Sequence, residues 1–219
     1  MIKTVSDNKT DAQIILASAS PRRRELLQQI NIKAIVQSVD IDESQKPGEA
    51  AIDFVERLAL EKAQRGFDAI ENQASLPVLG ADTIVEIDGL ILGKPENRQH
   101  AEKILMQLSG QKHKVHTSVA IINRDKRVVA TSSSQVQFKT LQVQEIKNYL
   151  ASGEADDKAG AYAIQGIAAQ FVKNIKGSFS GVMGLPLYET VELLKQCGIT
   201  PLNEQVSINL YRKQSKIYE

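Results

Sequence analysis

Residues 14–30 read Ile-Ile-Leu-Ala-Ser-Ala-Ser-Pro-Arg-Arg-Arg-Glu-Leu-Leu-Gln-Gln-Ile, and this stretch decides the fold class. Ile14 to Ala17 is a short apolar run, and residues 21–30 carry Leu26, Leu27 and Ile30 at helical spacing. A strand therefore runs straight into a helix, as in an α/β protein. With Ser20 as the N-cap, Pro21 falls at the first helical position, where its missing N–H costs nothing. Arg22, Arg23 and Arg24 then fill the first turn, although the positive end of a helix macrodipole favours carboxylates there. A bound anion would correct the sign, because free amides, serine hydroxyls and guanidinium forks together make a good phosphate site. A solvated arginine cluster is the alternative, and the spacing alone leaves both readings open.

Outward from this unit, residues 32–39 alternate as a second strand, residues 40–48 form an acidic loop, and residues 49–65 place Phe54, Val55, Leu58 and Ala59 on one helical face. Gly66 is a natural stop for that helix. Residues 77–87 are apolar and β-rich, and Asp88-Gly89 before Leu90-Ile91-Leu92 marks a two-residue hairpin. A helix is expected over about residues 99–108, and residues 115–122 and 128–138 form a long antiparallel hairpin. Residues 143–151 read as a helix, 160–172 as a glycine-punctuated strand region and 186–196 as a last helix. Hairpins added to a strand–helix entry predict a mixed sheet.

The chain has 219 residues, 42% of them apolar and 24% charged, and 27 Lys+Arg against 26 Asp+Glu leave a formal charge of +1. No global field draws it to nucleic acid or to an anionic membrane, so any anion must be met by locally placed cations. With 5% aromatic residues and no Trp there is little surface for stacking bases. No run approaches the roughly 18 apolar residues of a membrane span. The single cysteine, Cys197, excludes an internal disulfide framework and fits a reducing cytosol, so a soluble cytoplasmic protein is expected. Residues 1–13 read as a flexible polar extension, 14–200 as one domain and 201–219 as a C-terminal tail.

Several residues carry chemistry. Asp82 interrupts the most apolar strand, and a buried carboxylate must meet a cation, a metal or a sheet edge. The hairpin at Asp88-Gly89 can bring Lys94 back beside it. Lys62, on an amphipathic helix, reads by itself as a solvated lysine. Asp40, Asp42 and Glu43 form either a hard-cation site or a hydrated turn. His113 and His116 fall on opposite faces of a strand and make no zinc pair. Gln165, between Gly160 and Gly166, offers an acceptor and two donors suited to a base edge, or else is a satisfied core amide.

Together the blocks ILASASPRRRELL (15–27), LGADTIVEIDGLILGKP (79–95), AEKILMQLSGQKHKVHTSVA (101–120), DKAGAYAIQG (157–166) and GLPLYET (184–190) resemble the Maf family of nucleoside triphosphate pyrophosphatases. The resemblance implies an α/β fold of the inosine-triphosphatase-like (Maf/Ham1) type, an elongated mixed sheet flanked by helices, with two lobes and a nucleotide cleft between them. It implies hydrolysis between the α- and β-phosphates of a nucleoside triphosphate, with Asp82 as general base and a divalent cation, Mg²⁺ or Mn²⁺, on Asp82 and Glu43. Ser18, Arg22, Arg23, Lys62 and Lys94 match the family's phosphate-binding set. Arg22, Thr83 and Gln165 match the dTTP/UTP branch, where the 7-methyl-GTP branch carries Trp, Gln and Glu, and modified pyrimidine triphosphates are further candidates. Ser118, where the family commonly has Gly, and Gly181, where it has Ala or Asn, depart from the pattern, and Gly181 is expected to loosen its loop. A homodimer is a further expectation, with neither nucleic acid nor membrane as partner. The alternative reading is a nucleotide-binding regulator of cell division or septum formation.

Overall fold

The chain opens with alternating strands and helices and then turns to hairpins. Its elements are β1 (Ile14–Leu16), α1 (Pro21–Gln29), β2 (Ala34–Val36), α2 (Ala51–Asp68), β3 (Val78–Ile87), β4 (Leu90–Leu92), α3 (Arg98–Leu108), β5 (Lys112–Ile122), β6 (Arg127–Phe138), α4 (Val143–Leu150), β7 (Val172–Lys176), α5 (Phe179–Met183) and α6 (Leu187–Gln196). This is a computed structural model, and it describes residues 11–70 and 76–201. Most of the expected N-terminal extension and nearly all of the expected C-terminal tail lie outside the described residues.

The strands form one mixed sheet in the order β2-β1-β3-β5-β6-β7, with β4 added to β3. β1 runs parallel to β2 and β3, and every other pairing is antiparallel. β3, β5 and β6 are 10, 11 and 12 residues long, and they carry the sheet through both halves of the molecule.

One face of those three strands carries two cores. Leu79, Ala81, Val119 and Ile121 pack with Leu26, Leu27 of α1 and Leu193, Leu194 of α6. Farther along the same face, Val85, Ile87, Val115, Val136 and Phe138 pack with Leu105, Leu108 of α3 and Ile146, Tyr149 of α4. Between them runs a polar row, Thr83 opposite Thr117 opposite Ser132. Period-two alternation continues through the row, so the strands stay in register while the apolar contact stops. The two lobes are thus two hydrophobic clusters on one continuous sheet, parted by three hydroxyls.

The other face is covered by α2, which lies very close. A Cβ on Gly80 would stand 2.4 Å from Ala59 O and Ala63 N, so only glycine lets the helix approach β3 here. Gly66 does similar work, since a Cβ there would meet Val78 at 2.9 Å and Ala17 at 3.0 Å. Gly66 therefore does not end α2, which continues to Asp68 and is capped at Ala69.

Two more expectations need correction. The second strand spans only Ala34–Val36, because β1 offers it three partners. Residues 160–172 do not form a strand region. Gly160 sits at φ +70°, the 3-10 turns Ala159–Ala161 and Ile167–Phe171 occupy the segment, and sheet pairing starts at Val172. The turn at Asp88-Gly89 is as expected, with both residues at positive φ (50° and 81°), as a type I′ hairpin requires.

Candidate active site

β1 pairs with β3 at Val78 and Leu79, and β4 resumes on the same side at Val85. Residues 80–84 therefore have β5 along one edge and no strand along the other. A cleft of about 320 Å³ opens at this gap. Successive side chains of a strand leave from opposite faces, so the missing neighbour is what allows Asp82 and Thr83 to line the same cleft. Its walls also include Ser18, Arg22, Arg23, Glu43, Lys62, Lys94 and Gln165. Every residue that the family resemblance marked as a site residue therefore lines one cleft.

α2 and β3 supply the charged wall. Lys62 Nζ is 2.6 Å from Asp82 Oδ1 and 2.6 Å from Glu43 Oε1, and all but the Glu43 side chain are nearly buried. Lys62 is thus a buried bridge between two carboxylates and not a solvated lysine. Burial would raise the Glu43 carboxyl, but the Lys62 hydrogen bond and the charges of Lys62, Lys94 and Arg23 outweigh it and hold it below its usual value. Lys94 Nζ stands 3.8 Å from Glu43 Oε2, so the hairpin brings it back to the Asp82 wall through Glu43. Asp42 instead accepts the Ser44 N–H, and neither it nor Asp40 lines the cleft.

The loop bearing Glu43 is tied down by Arg57 of α2. That guanidinium donates to both Glu49 carboxylate oxygens (2.6 and 2.8 Å) and to Ser44 O (2.9 Å), and its hydrogen bond draws the Glu49 carboxyl down to about 2.

α1 supplies the second wall. Ser20 occupies the N-cap position, but its side chain makes no capping bond. The hydroxyl at work is Ser18, which accepts the Ser20 N–H at 3.2 Å and Arg23 Nη1 at 3.1 Å. Arg23 also donates from Nε to Gly184 O (2.8 Å) and from Nη2 to Thr83 Oγ1 (3.4 Å), which ties α1 to β3 and to the turn after α5. Burial lowers its guanidinium pKa, and the Asp82 charge opposes that fall. Arg22 points across the cleft to Asp157, 3.7 Å away.

The third wall is the loop 157–165, where Gln165 is exposed and its amide has no hydrogen-bond partner among the described residues. It is not a satisfied core amide. Below it, Thr117 Oγ1 donates to Gly181 O at 2.7 Å and lies 3.0 Å from Thr83 Oγ1. Gly181 N–H donates to Ser178 Oγ, so Gly181 is held at both of its backbone groups. Ser118 bonds Thr131 on the α2 face, away from the cleft. His113 and His116 do face opposite ways, the first to Tyr162 and the second to Glu86 and Ser133.

A divalent cation needs oxygen ligands. No group of three or more His, Cys, Asp or Glu residues is arranged for a metal among the described residues. Asp82 and Glu43 are nevertheless bridged by one cation already, and Asp82 Oδ2 makes no hydrogen bond among the described residues. Two carboxylates beside a polyphosphate-sized cleft are what Mg²⁺ takes from a protein when substrate phosphates complete its shell, so the residues fit.

The family model for Maf-like proteins matches residues 13–197. The chain belongs to the Maf family. Maf relatives include the dTTP/UTP pyrophosphatase of Hahella chejuensis, 51% identical over 187 residues that cover 85% of this chain and 93% of that protein. The dTTP/UTP pyrophosphatase of Aliivibrio fischeri is 50% identical over 188 residues, covering 85% and 98%. That of Bordetella parapertussis is 49% identical over 193 residues, covering 85% and 93%. Among solved structures, the Ham1 protein of Staphylococcus aureus aligns over 57% of this chain and 71% of its own, with TM-score 0.42 and 15% identity.

Asp157 and Tyr162 stand in the block 157–166 quoted from the sequence, which gave neither a role, and Arg57, which acts through Glu49, had no local signal. No helix among the described residues is long and apolar enough to cross a membrane.

Proposed function

We propose that the cleft hydrolyses dTTP and UTP to the monophosphate and pyrophosphate, and so clears unwanted pyrimidine triphosphates from the nucleotide pool of the cytoplasm. The observation that carries this is the convergence, at one gap in the sheet edge, of a carboxylate paired to lysine, a set of cations and an uncommitted amide. The names of the relatives that match nearly end to end support the same reaction and substrates.

Asp82 is the general base. It takes a proton from the water whose oxygen attacks the α-phosphorus, the bond from that phosphorus to the α–β bridging oxygen breaks, and pyrophosphate leaves. Lys62 holds the Asp82 carboxylate in place and supplies positive charge beside it. Ser18, Arg22 and Lys94 meet the phosphate oxygens, while Arg23, already bonded to Ser18, Thr83 and Gly184, orients that set. Asp82 and Glu43 would hold a divalent cation, Mg²⁺ or Mn²⁺, which when bound supplies charge to the phosphate oxygens. Gln165 can accept from the N3–H of a pyrimidine and donate to its carbonyl, which suits uracil and thymine. A regulator that only senses nucleotide would have no use for a buried base, and the pyrophosphatase reading is preferred to it.

The test is pyrophosphate release from a panel of nucleoside triphosphates, with Mg²⁺, with Mn²⁺ and with chelator. Release from UTP and dTTP in preference to purine triphosphates, abolished by chelator, is the expected result. Orthophosphate as the first product would overturn it.

A further inference from the structure

The turn that presents Gln165 is held from behind by a residue outside the cleft. The Glu154 carboxylate accepts the Ile167 N–H at Oε2 (2.9 Å) and the Ala168 N–H at Oε1 (3.2 Å). These amides open the 3-10 turn Ile167–Phe171, which follows directly on Gln165-Gly166. Because both oxygens are engaged, the carboxylate fixes the rotation of the turn as well as its position. Charge-assisted bonds of this kind are roughly twice as strong as neutral ones.

Gly166 is shaped by the same contact. A Cβ there would stand 2.0 Å from Glu154 Oε2. Its φ of −109° lies outside the left-handed region, so the close approach of the carboxylate is what marks this position for glycine. On the far side of Gln165 the chain is fixed again. Gly166 N–H donates to Ala163 O at 3.1 Å, and Tyr162 is packed edge-on against Phe138 with its hydroxyl 2.9 Å from His113 Nε2. Burial, with the nearby Glu154 carboxylate adding to it, pushes the Tyr149 phenol up. Gln165 thus stands between two fixed points while its own amide stays free.

We infer that Glu154 is a positioning residue for base selection: seated on the Ile167 and Ala168 amides, with Gly166 kept bare to admit it, it aims Gln165 into the cleft. The inference rests on the reading of Gln165 as the base-edge contact. Recognition by paired hydrogen bonds requires that amide to be held within about 0.5 Å, which a free loop does not do.

The test measures kcat/KM for UTP and for GTP by pyrophosphate release from the full chain, with thermal unfolding followed in parallel. Glu154→Gln offers an acceptor to only one of the two amides. The UTP-to-GTP ratio is expected to fall about tenfold, with the loss carried by UTP. Gly166→Ala should lower the ratio in the same direction by displacing the carboxylate. Glu154→Ala combined with Gly166→Ala should fall no further than either change alone, since the two act on one contact. Equal losses on UTP and GTP would show a merely structural role and overturn the inference. If Gln165→Ala leaves the ratio unchanged, the base reading itself fails. If Gln165→Ala collapses the ratio and Glu154→Gln does not, only the role of Glu154 fails. Should Glu154→Gln not fold, Glu154→Asp carries the same test, because the shorter side chain reaches one amide only.

Discussion

On the wall made by α2 and β3, Lys62 Nζ is 2.6 Å from both Asp82 and Glu43, whereas across the cleft the Gln165 amide bonds to nothing among the described residues. The first wall gets its order from side chains that answer one another. The second gets it from backbone, through Glu154 and the packing of Tyr162, and leaves the side chain free. The contrast matches what the proposed function asks of each wall. Charge that must be present at every turnover can be paired in advance, but a group that chooses between ligands must keep its donors and acceptors for them.

The largest effect should come from breaking the charged wall at its centre. Asp82→Asn keeps the shape but cannot accept the water proton, and turnover should fall by about 10²–10⁴-fold while nucleotide binding, read by titration calorimetry, persists. Full turnover in that variant would remove Asp82 from the mechanism. Lys62→Met comes next. It leaves Asp82 buried beside no ammonium, so chemical denaturation should show a loss of about 3 kcal/mol together with loss of turnover. A stable and active variant would mean that the two walls do not differ in the way described.

The reading wall should be the more sensitive to acid. Burial lowers the His113 imidazole from 6.5 to about 4, and His113 supports Tyr162. Between those values the unfolded chain binds more protons than the folded one, so the His113 contribution is complete above pH 6.5 and is lost as pH falls toward 4. The full loss is about 3 kcal/mol. Hydrogen exchange at residues 160–168 should rise before that of α2 as pH is lowered, and His113→Phe should flatten the melting temperature across this range. The smallest effect concerns choice alone. Gln165→Glu together with Thr83→Gln should weaken kcat/KM for UTP about tenfold more than for purine triphosphates, and equal losses would show that neither residue reads the base.

Much of the charged wall was legible in the sequence because its parts stand in strongly patterned segments. The strand–helix unit at 14–30, the apolar run around Asp82 and the Asp88-Gly89 turn each follow from local rules, and together they place Ser18, Arg22, Asp82 and Lys94. The pairing of Lys62 with Asp82 was not legible, because it depends on Gly80 letting a helix lie against a strand. Gly66 misled for the same reason, since close packing and helix termination select the same residue. The reading wall was least legible. Residues 152–166 have no period, and the tie from Glu154 to two amides is a long-range choice that composition does not mark.

The gap in the edge of β3 has a consequence for how such a site can be lost. β4 ends at Leu92, opposite Val85, and the next residues are Gly93, whose carbonyl is taken by the Gly160 N–H at 3.1 Å, and then Lys94 and Pro95, the last with no N–H to give a ladder. Two further rungs would bring this chain over Ile84 and Thr83 and zip the cleft shut with every cleft residue still present. The candidate active site is in that sense a pair of unmade rungs, with the Gly160–Gly93 hydrogen bond and Pro95 standing where the ladder would continue.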